Sequence, residues 1–90
     1  MKTLRMIIKG KVQGVGFRLF ARQKAQIYGI KGFAKNLSNG DLEIIAQSCD
    51  EKKLQMFIKE CKRGPLFASI EDFIVEEITP EKDYDFFDIR

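Results

Sequence analysis

The stretch GKVQGVGFRLFARQKAQIYG, Gly10 to Gly29, changes its period in the middle, and that change decides the fold. Its first residues close a run from Thr3 to Val12 in which Leu4, Met6 and Ile8 share one face and Arg5 and Lys9 the other, the alternation of a half-buried strand. From Phe17 the spacing turns helical. Phe17, Phe20, Ala21, Lys24 and Tyr28 fall on one side, Arg22, Gln23 and Gln26 point outward, and Gly29 supplies a stop. Between strand and helix, Gly14 and Gly16 can take the φ angles of a curled loop and have no side chain to block a close approach. The N–H groups of Gln13, Gly14, Val15, Gly16, Phe17 and Arg18 could then converge at a helix N-terminus, where aligned peptide dipoles favour an anion. Arg18 would add a guanidinium able to form two parallel hydrogen bonds to phosphate oxygens. On spacing alone, a tight turn followed by a solvated Arg18 reads equally well. Neither GxxxxGK[ST] nor GxGxxG is present, which removes the two common nucleotide-binding loops.

Working outward, Ile30 to Leu37 and Leu42 to Gln47 flank SNGD, Ser38 to Asp41, where Asn39-Gly40 suits the positive φ angles of a tight hairpin turn. Ser48 and Glu51 are spaced as a capping box, and Leu54, Phe57, Ile58 and Cys61 form the stripe of a second helix ended by Gly64-Pro65. Ile70, Phe73 and Val75 suggest a further strand with an irregularity between Ile70 and Phe73. Phe87 and Ile89 alternate with Asp88 and Arg90 near the C-terminus. The order βαββαβ, with a short extra C-terminal strand, predicts an α+β ferredoxin-like sandwich: an antiparallel sheet with two helices on one face. Phe17, Phe20, Phe57 and Phe73 are expected in its core.

Ninety residues with 44% hydrophobic content suffice for one core and not for two, so residues 1–90 are read as a single domain. No repeat, low-complexity tract or linker interrupts them. No apolar run approaches a signal-peptide core or the ~20 residues of a membrane span, and a cytoplasmic protein without a membrane partner is expected. Cys49 and Cys61 lack CxxC spacing and the chain has no histidine, which leaves free thiols as the reading and no metal site. The formal charge of +3 suits an anionic ligand or an ordinary solvated surface.

With the elements in this order, GKVQGVGFR followed after the first helix by GFAKN, Gly32 to Asn36, resembles the acylphosphatase family. The similarity runs over nearly the whole chain, through NLSNGDLEIIA, RGP at Arg63 to Pro65 and the C-terminal FFDIR. It implies an acylphosphatase, a hydrolase acting on acid anhydrides that converts an acyl phosphate and water to a carboxylate and inorganic phosphate. The resemblance assigns phosphate binding to the Gln13–Arg18 loop and the Arg18 side chain, and positioning of the attacking water to Asn36. Read by itself, Asn36 is a polar residue at a strand end. The expected partners are a small-molecule acyl phosphate and inorganic phosphate, as product and competitive inhibitor, with no metal, no cofactor, no nucleic acid and a monomeric chain. The chain departs from the family pattern at Phe33, where tryptophan is common, at Ala34, where valine is common, and in QSCD, which lacks a Gly-Pro.

The residues missing from the chain bear on that reading. Without histidine, HxxE or GxSxG, a general acid is hard to nominate. A phosphate monoester expels a poor alkoxide, whereas an acyl phosphate expels a carboxylate whose conjugate acid has a pKa of ~4 and needs little help. No residue pattern identifies the acyl group. Two alternatives share the fold: a non-catalytic phosphate-binding module, and an RNA-binding module suggested by KGFA, Lys31 to Ala34, which matches the start of an RNP1 pattern. The latter match fails at Lys35 and Ser38, where aromatic residues should follow, and it falls on the second strand instead of the third.

Overall fold

In the computed structural model, which describes Met1 to Arg90, the elements follow the sequence period closely: β1 (Lys2–Lys11), α1 (Phe17–Tyr28), β2 (Lys31–Asn36), β3 (Leu42–Ser48), α2 (Glu51–Arg63), β4 (Ser69–Glu77) and β5 (Phe87–Ile89). The strand order is β4-β1-β3-β2-β5. The first four strands pair antiparallel throughout, whereas β5 lies parallel to β2, so the complete sheet is mixed and not purely antiparallel as expected.

The parallel strand has a topological cause. β4 and β5 occupy opposite edges, so residues 78–86 must cross the sheet to join them. They cross the face away from the helices. Ile78 N–H donates to Thr3 O at 3.0 Å, Gln47 Nε2 donates to Lys82 O at 3.2 Å, and Tyr84 N–H donates to Gln47 Oε1 at 2.9 Å. Gln47 also donates to Thr3 Oγ1, which satisfies a fully buried amide and nails the crossing segment to β3.

The main core lies on the other face. Leu4, Met6 and Ile8 of β1 and Leu42, Ile44 and Ala46 of β3 meet Phe17, Ala21 and Ala25 of α1 and Leu54, Phe57, Ile58 and Cys61 of α2. Phe20 and Phe73 are partly buried against this cluster, at its margin. Phe33 and Ile45, opposite each other in register, are buried on the rear face instead, under Tyr84 and under the Arg90 guanidinium, which stacks 4.0 Å from the Phe33 ring centre. Ala34 is wholly buried against the helices, where a larger side chain would need more room.

Two local expectations are corrected and a third is met. The cap of α2 is Asp50, whose Oδ1 accepts from Lys53 N–H at 3.1 Å, while Ser48 Oγ binds the backbone of Asp50; there is no Ser48–Glu51 capping box. Asn39 does not take a positive φ. Gly40 alone does, at 95°, and Gly40 N–H donates to Leu37 O while Leu37 N–H donates to Asp41 O, the pattern of a type I turn followed by a glycine bulge. The irregularity expected between Ile70 and Phe73 is present as a register shift opposite Lys9 and Gly10 that leaves Glu71 unpaired.

Lys24 of α1 bonds Glu60 of α2 at 3.1 Å, and that hydrogen bond, with Arg63 nearby, holds the Glu60 carboxyl below its ordinary value of 4.5. Because the folded value is lowered, the link is fully present above the unfolded value and is lost as the pH falls through the folded one.

Cys49 is exposed and Cys61 is buried in the core, where burial pushes its thiol far above the usual range. A thiol-reactive dye should therefore titrate one equivalent in the native protein and two in denaturant. Two equally fast thiols in the native state would contradict the burial of Cys61.

Candidate active site

The two helices begin differently. The N-terminus of α2 is satisfied by its own sequence, with Asp50 as cap and Glu51 in the first turn. The N-terminus of α1 has Gly16 at the cap position, no side-chain cap and no acidic residue in its first turn. The N–H groups from Gln13 through Arg18 find no acceptor in the protein. Gly14 and Gly16 hold φ of 72° and 76°, and a Cβ built on either would meet no atom within 4 Å. Backbone conformation, not lack of space in the protein, calls for glycine at both places. The result is a row of unpaired donors at the positive end of a helix.

Two side chains, those of Arg18 and Asn36, share a cleft of about 180 Å³ with this loop. Arg18, in the first turn of α1, reaches across to β5, where Nη1 donates to the main-chain oxygen of Arg90 at 2.8 Å. Arg90 is itself held by its N–H, which donates to Ala34 O at 2.8 Å and extends the β2–β5 pairing. Asn36, the last residue of β2, lines the same cleft, and its side-chain amide has no hydrogen-bond partner in the protein. Asn36 is thus brought to one hollow with Gly14, Gly16, Phe17 and Arg18, 18 residues or more before it in the chain; the Gln13 and Val15 backbones lie in the same loop but are not part of its wall.

Two parts of this site were not legible in the residues. Leu19 and Ile89 form an apolar wall beside Arg18, with Leu19 46% exposed. Leu19 follows the glycine motif directly, but nothing in its spacing tells which way it faces. The Gln13 side chain turns away from the cradle: Nε2 donates to Leu37 O at 2.7 Å and to Asp41 O at 2.9 Å in the β2–β3 hairpin. Nearby, Lys9 Nζ sits 2.6 Å from Asp41 Oδ2, a hydrogen bond that raises the Lys9 pKa above its ordinary value.

A larger hollow of about 420 Å³ lies between α1 and β5, but its lining mixes Arg22 and Lys31 with Asp85 and Asp88 and does not include the β1–α1 loop. No three His, Cys, Asp or Glu side chains lie close enough together to hold a metal ion.

A ferredoxin-like α+β sandwich with unpaired backbone donors at its β1–α1 turn is the class of protein that the fold and site define, and the comparisons with known proteins narrow it. The acylphosphatase family model matches residues 4–89. An acylphosphatase of Thermotoga maritima is 43% identical over 86 residues, covering 96% of this chain and 94% of its own. The crystal structure of acylphosphatase from Bacillus subtilis superposes with a TM-score of 0.93 at 36% identity, covering all of this chain and 99% of that one. An acylphosphatase structure from Coxiella burnetii gives 0.91 at 34% identity, over 99% of this chain and 92% of that one. The chain belongs to the acylphosphatase family.

The cradle makes a prediction about stability. Gly16→Ala should lose about 1–2 kcal/mol, the usual penalty of an L-residue in the left-handed region, with no packing loss because the added methyl meets nothing. Denaturant midpoints at unchanged m-value measure this. An undiminished midpoint would show that the turn relaxes at no cost.

Proposed function

We propose that this chain is a metal-independent acylphosphatase of the acid-anhydride hydrolase class, acting in the cytoplasm as a single-domain monomer on a small acyl phosphate. The observation that carries this reading is one cleft shared by unpaired backbone donors, Arg18 and the unpartnered Asn36 amide. The phosphoryl group lies in the Gln13–Arg18 cradle, bound by its N–H groups and by Arg18. Asn36 accepts a hydrogen bond from the attacking water through its carbonyl oxygen. An amide is too weak a base to take the proton, so a phosphoryl oxygen of the substrate receives it. The leaving carboxylate needs no proton donor. Catalysis is then positioning and charge stabilisation, which these groups can supply. Inorganic phosphate, fitting the same cradle, inhibits competitively.

RNA binding is disfavoured by Phe33, the aromatic residue of KGFA. Its ring is buried under Arg90 and Tyr84 and offers no stacking platform. The two free thiols suit a reducing compartment.

The test is phosphate release from benzoyl phosphate beside p-nitrophenyl phosphate and sugar phosphates. The acyl phosphate should be cleaved far faster, and comparable rates would sink the mechanism. Arg18→Ala and Arg18→Lys should both lose roughly 10³-fold or more in turnover, because lysine keeps the charge but lacks the planar fork; near-normal Arg18→Lys would reduce the role to bulk charge. Asn36→Ala should lose on the order of 10²-fold to 10³-fold, about 3–4 kcal/mol of barrier, while phosphate still inhibits. Asn36→Asp should be no better, since its carboxylate repels the phosphoryl group. Full turnover in folded Asn36→Ala, or phosphate affinity falling in step with turnover, would remove Asn36 from the water site.

A further inference from the structure

The cradle and Asn36 stand on different elements, and neither element's own hydrogen bonds fix their separation. The loop leaves β1 after Lys11, whereas Asn36 ends β2 at the entry to the β2–β3 hairpin. No backbone hydrogen bond joins residues 12–16 to residues 37–41. The direct polar link between them is the Gln13 side chain. Both hydrogens of Nε2 are used, one on Leu37 O and one on Asp41 O. Those two carbonyls also close the hairpin, since Leu37 O accepts from Gly40 N–H and Asp41 O accepts from Leu37 N–H. Leu37 directly follows Asn36. The amide of Gln13 is therefore plugged into the turn that carries the water-holding residue, while its own backbone begins the phosphate cradle.

We propose that the Gln13 side chain is a positioning residue that holds the phosphate-binding loop in register with Asn36. The inference rests on the reading of Arg18 and Asn36 given above. In a displacement at phosphorus the water must sit close to the line of the breaking bond, and a misplacement of about 1 Å can reduce the rate by roughly 10²-fold. Phosphate affinity has a different origin, because the cradle and Arg18 are local to one loop and one helix turn. Loss of the tether should separate the two quantities. The Lys9–Asp41 ion pair is a second tie between β1 and the hairpin, but Lys9 does not line the cleft and its removal leaves the Gln13 bonds in place.

Three variants of the full chain test this with benzoyl phosphate as substrate and inorganic phosphate as inhibitor. Gln13→Met keeps the length and loses both donors. Its kcat should fall by about 10-fold to 10²-fold, with the phosphate inhibition constant within about threefold of the parent. Gln13→Glu should be equally poor at neutral pH, where a carboxylate faces two carbonyl oxygens. Its turnover relative to the parent should recover as the pH falls, because those carbonyls raise the carboxyl pKa and protonation restores one donor. Lys9→Met should melt at a lower temperature and keep its turnover. Unimpaired Gln13→Met in an active parent background overturns this inference alone. So does phosphate affinity that falls with turnover, an absence of acid recovery in Gln13→Glu, or an equal loss of turnover in Lys9→Met. A parent chain inactive on every acyl phosphate overturns the functional reading and this inference with it.

Discussion

Everything about the site depends on a set of donors left unpaired. A helix starts with N–H groups that have no partner inside it, and most sequences supply one from a neighbouring side chain. The second helix does so with Asp50. The first cannot: its cap is a glycine in the left-handed region, its first turn contains no acid, and the loop before it is bent by a second left-handed glycine. Water can solvate such an end, but an anion satisfies it better and meets the helix dipole with the right sign. Residues that would have stabilised α1 by filling the cradle are absent from the only place where they would have blocked it.

The rest of the fold keeps that turn rigid and brings the remaining groups to it. Phe17, the first residue of α1, is buried in the core and anchors the helix start. The antiparallel pairing of β1, β3 and β2 puts the β2–β3 hairpin at the same end of the sheet as the β1–α1 turn, which is why Asn36 and the glycines can share a hollow. The crossing segment, held by Gln47 and by the Phe33–Tyr84 contact, delivers β5 to the far edge, where Arg90 offers its main-chain oxygen to Arg18. A buried amide on the rear face thus bears on the orientation of an arginine in the cleft.

The chemical economy of the site follows from the leaving group. With no histidine in the chain, proton donation to a poor leaving group has no obvious source. A carboxylate leaving group removes that demand, which is why the proposed mechanism asks only for fixed dipoles, one cation and one amide. The proposed reaction would need distance control between the β1–α1 loop and Asn36.

By itself the sequence determined what depends on local spacing. The alternation from Thr3 to Val12, the helical stripe from Phe17, the Leu54–Cys61 stripe and the glycine stops translate directly into elements because period and φ preference act over a few residues. Motif spacing left the β1–α1 loop and Arg18 open between an anion cradle and an ordinary tight turn, and the family resemblance proposed the roles of that loop, Arg18 and Asn36. Only the tertiary structure decided the rest. The direction of β5 follows from the end of the sheet at which residues 78–86 cross, beside Thr3 and Gly32 where β1 and β2 begin, and three residues of alternating pattern carry no information about parallel or antiparallel pairing. The cap of α2 passed from Ser48 to Asp50 because β3 continues through Ser48 and delays the helix start. Leu19, Ile89 and the Gln13 amide joined the site through contacts between distant segments, and such contacts are set by how the elements pack, which no local period records.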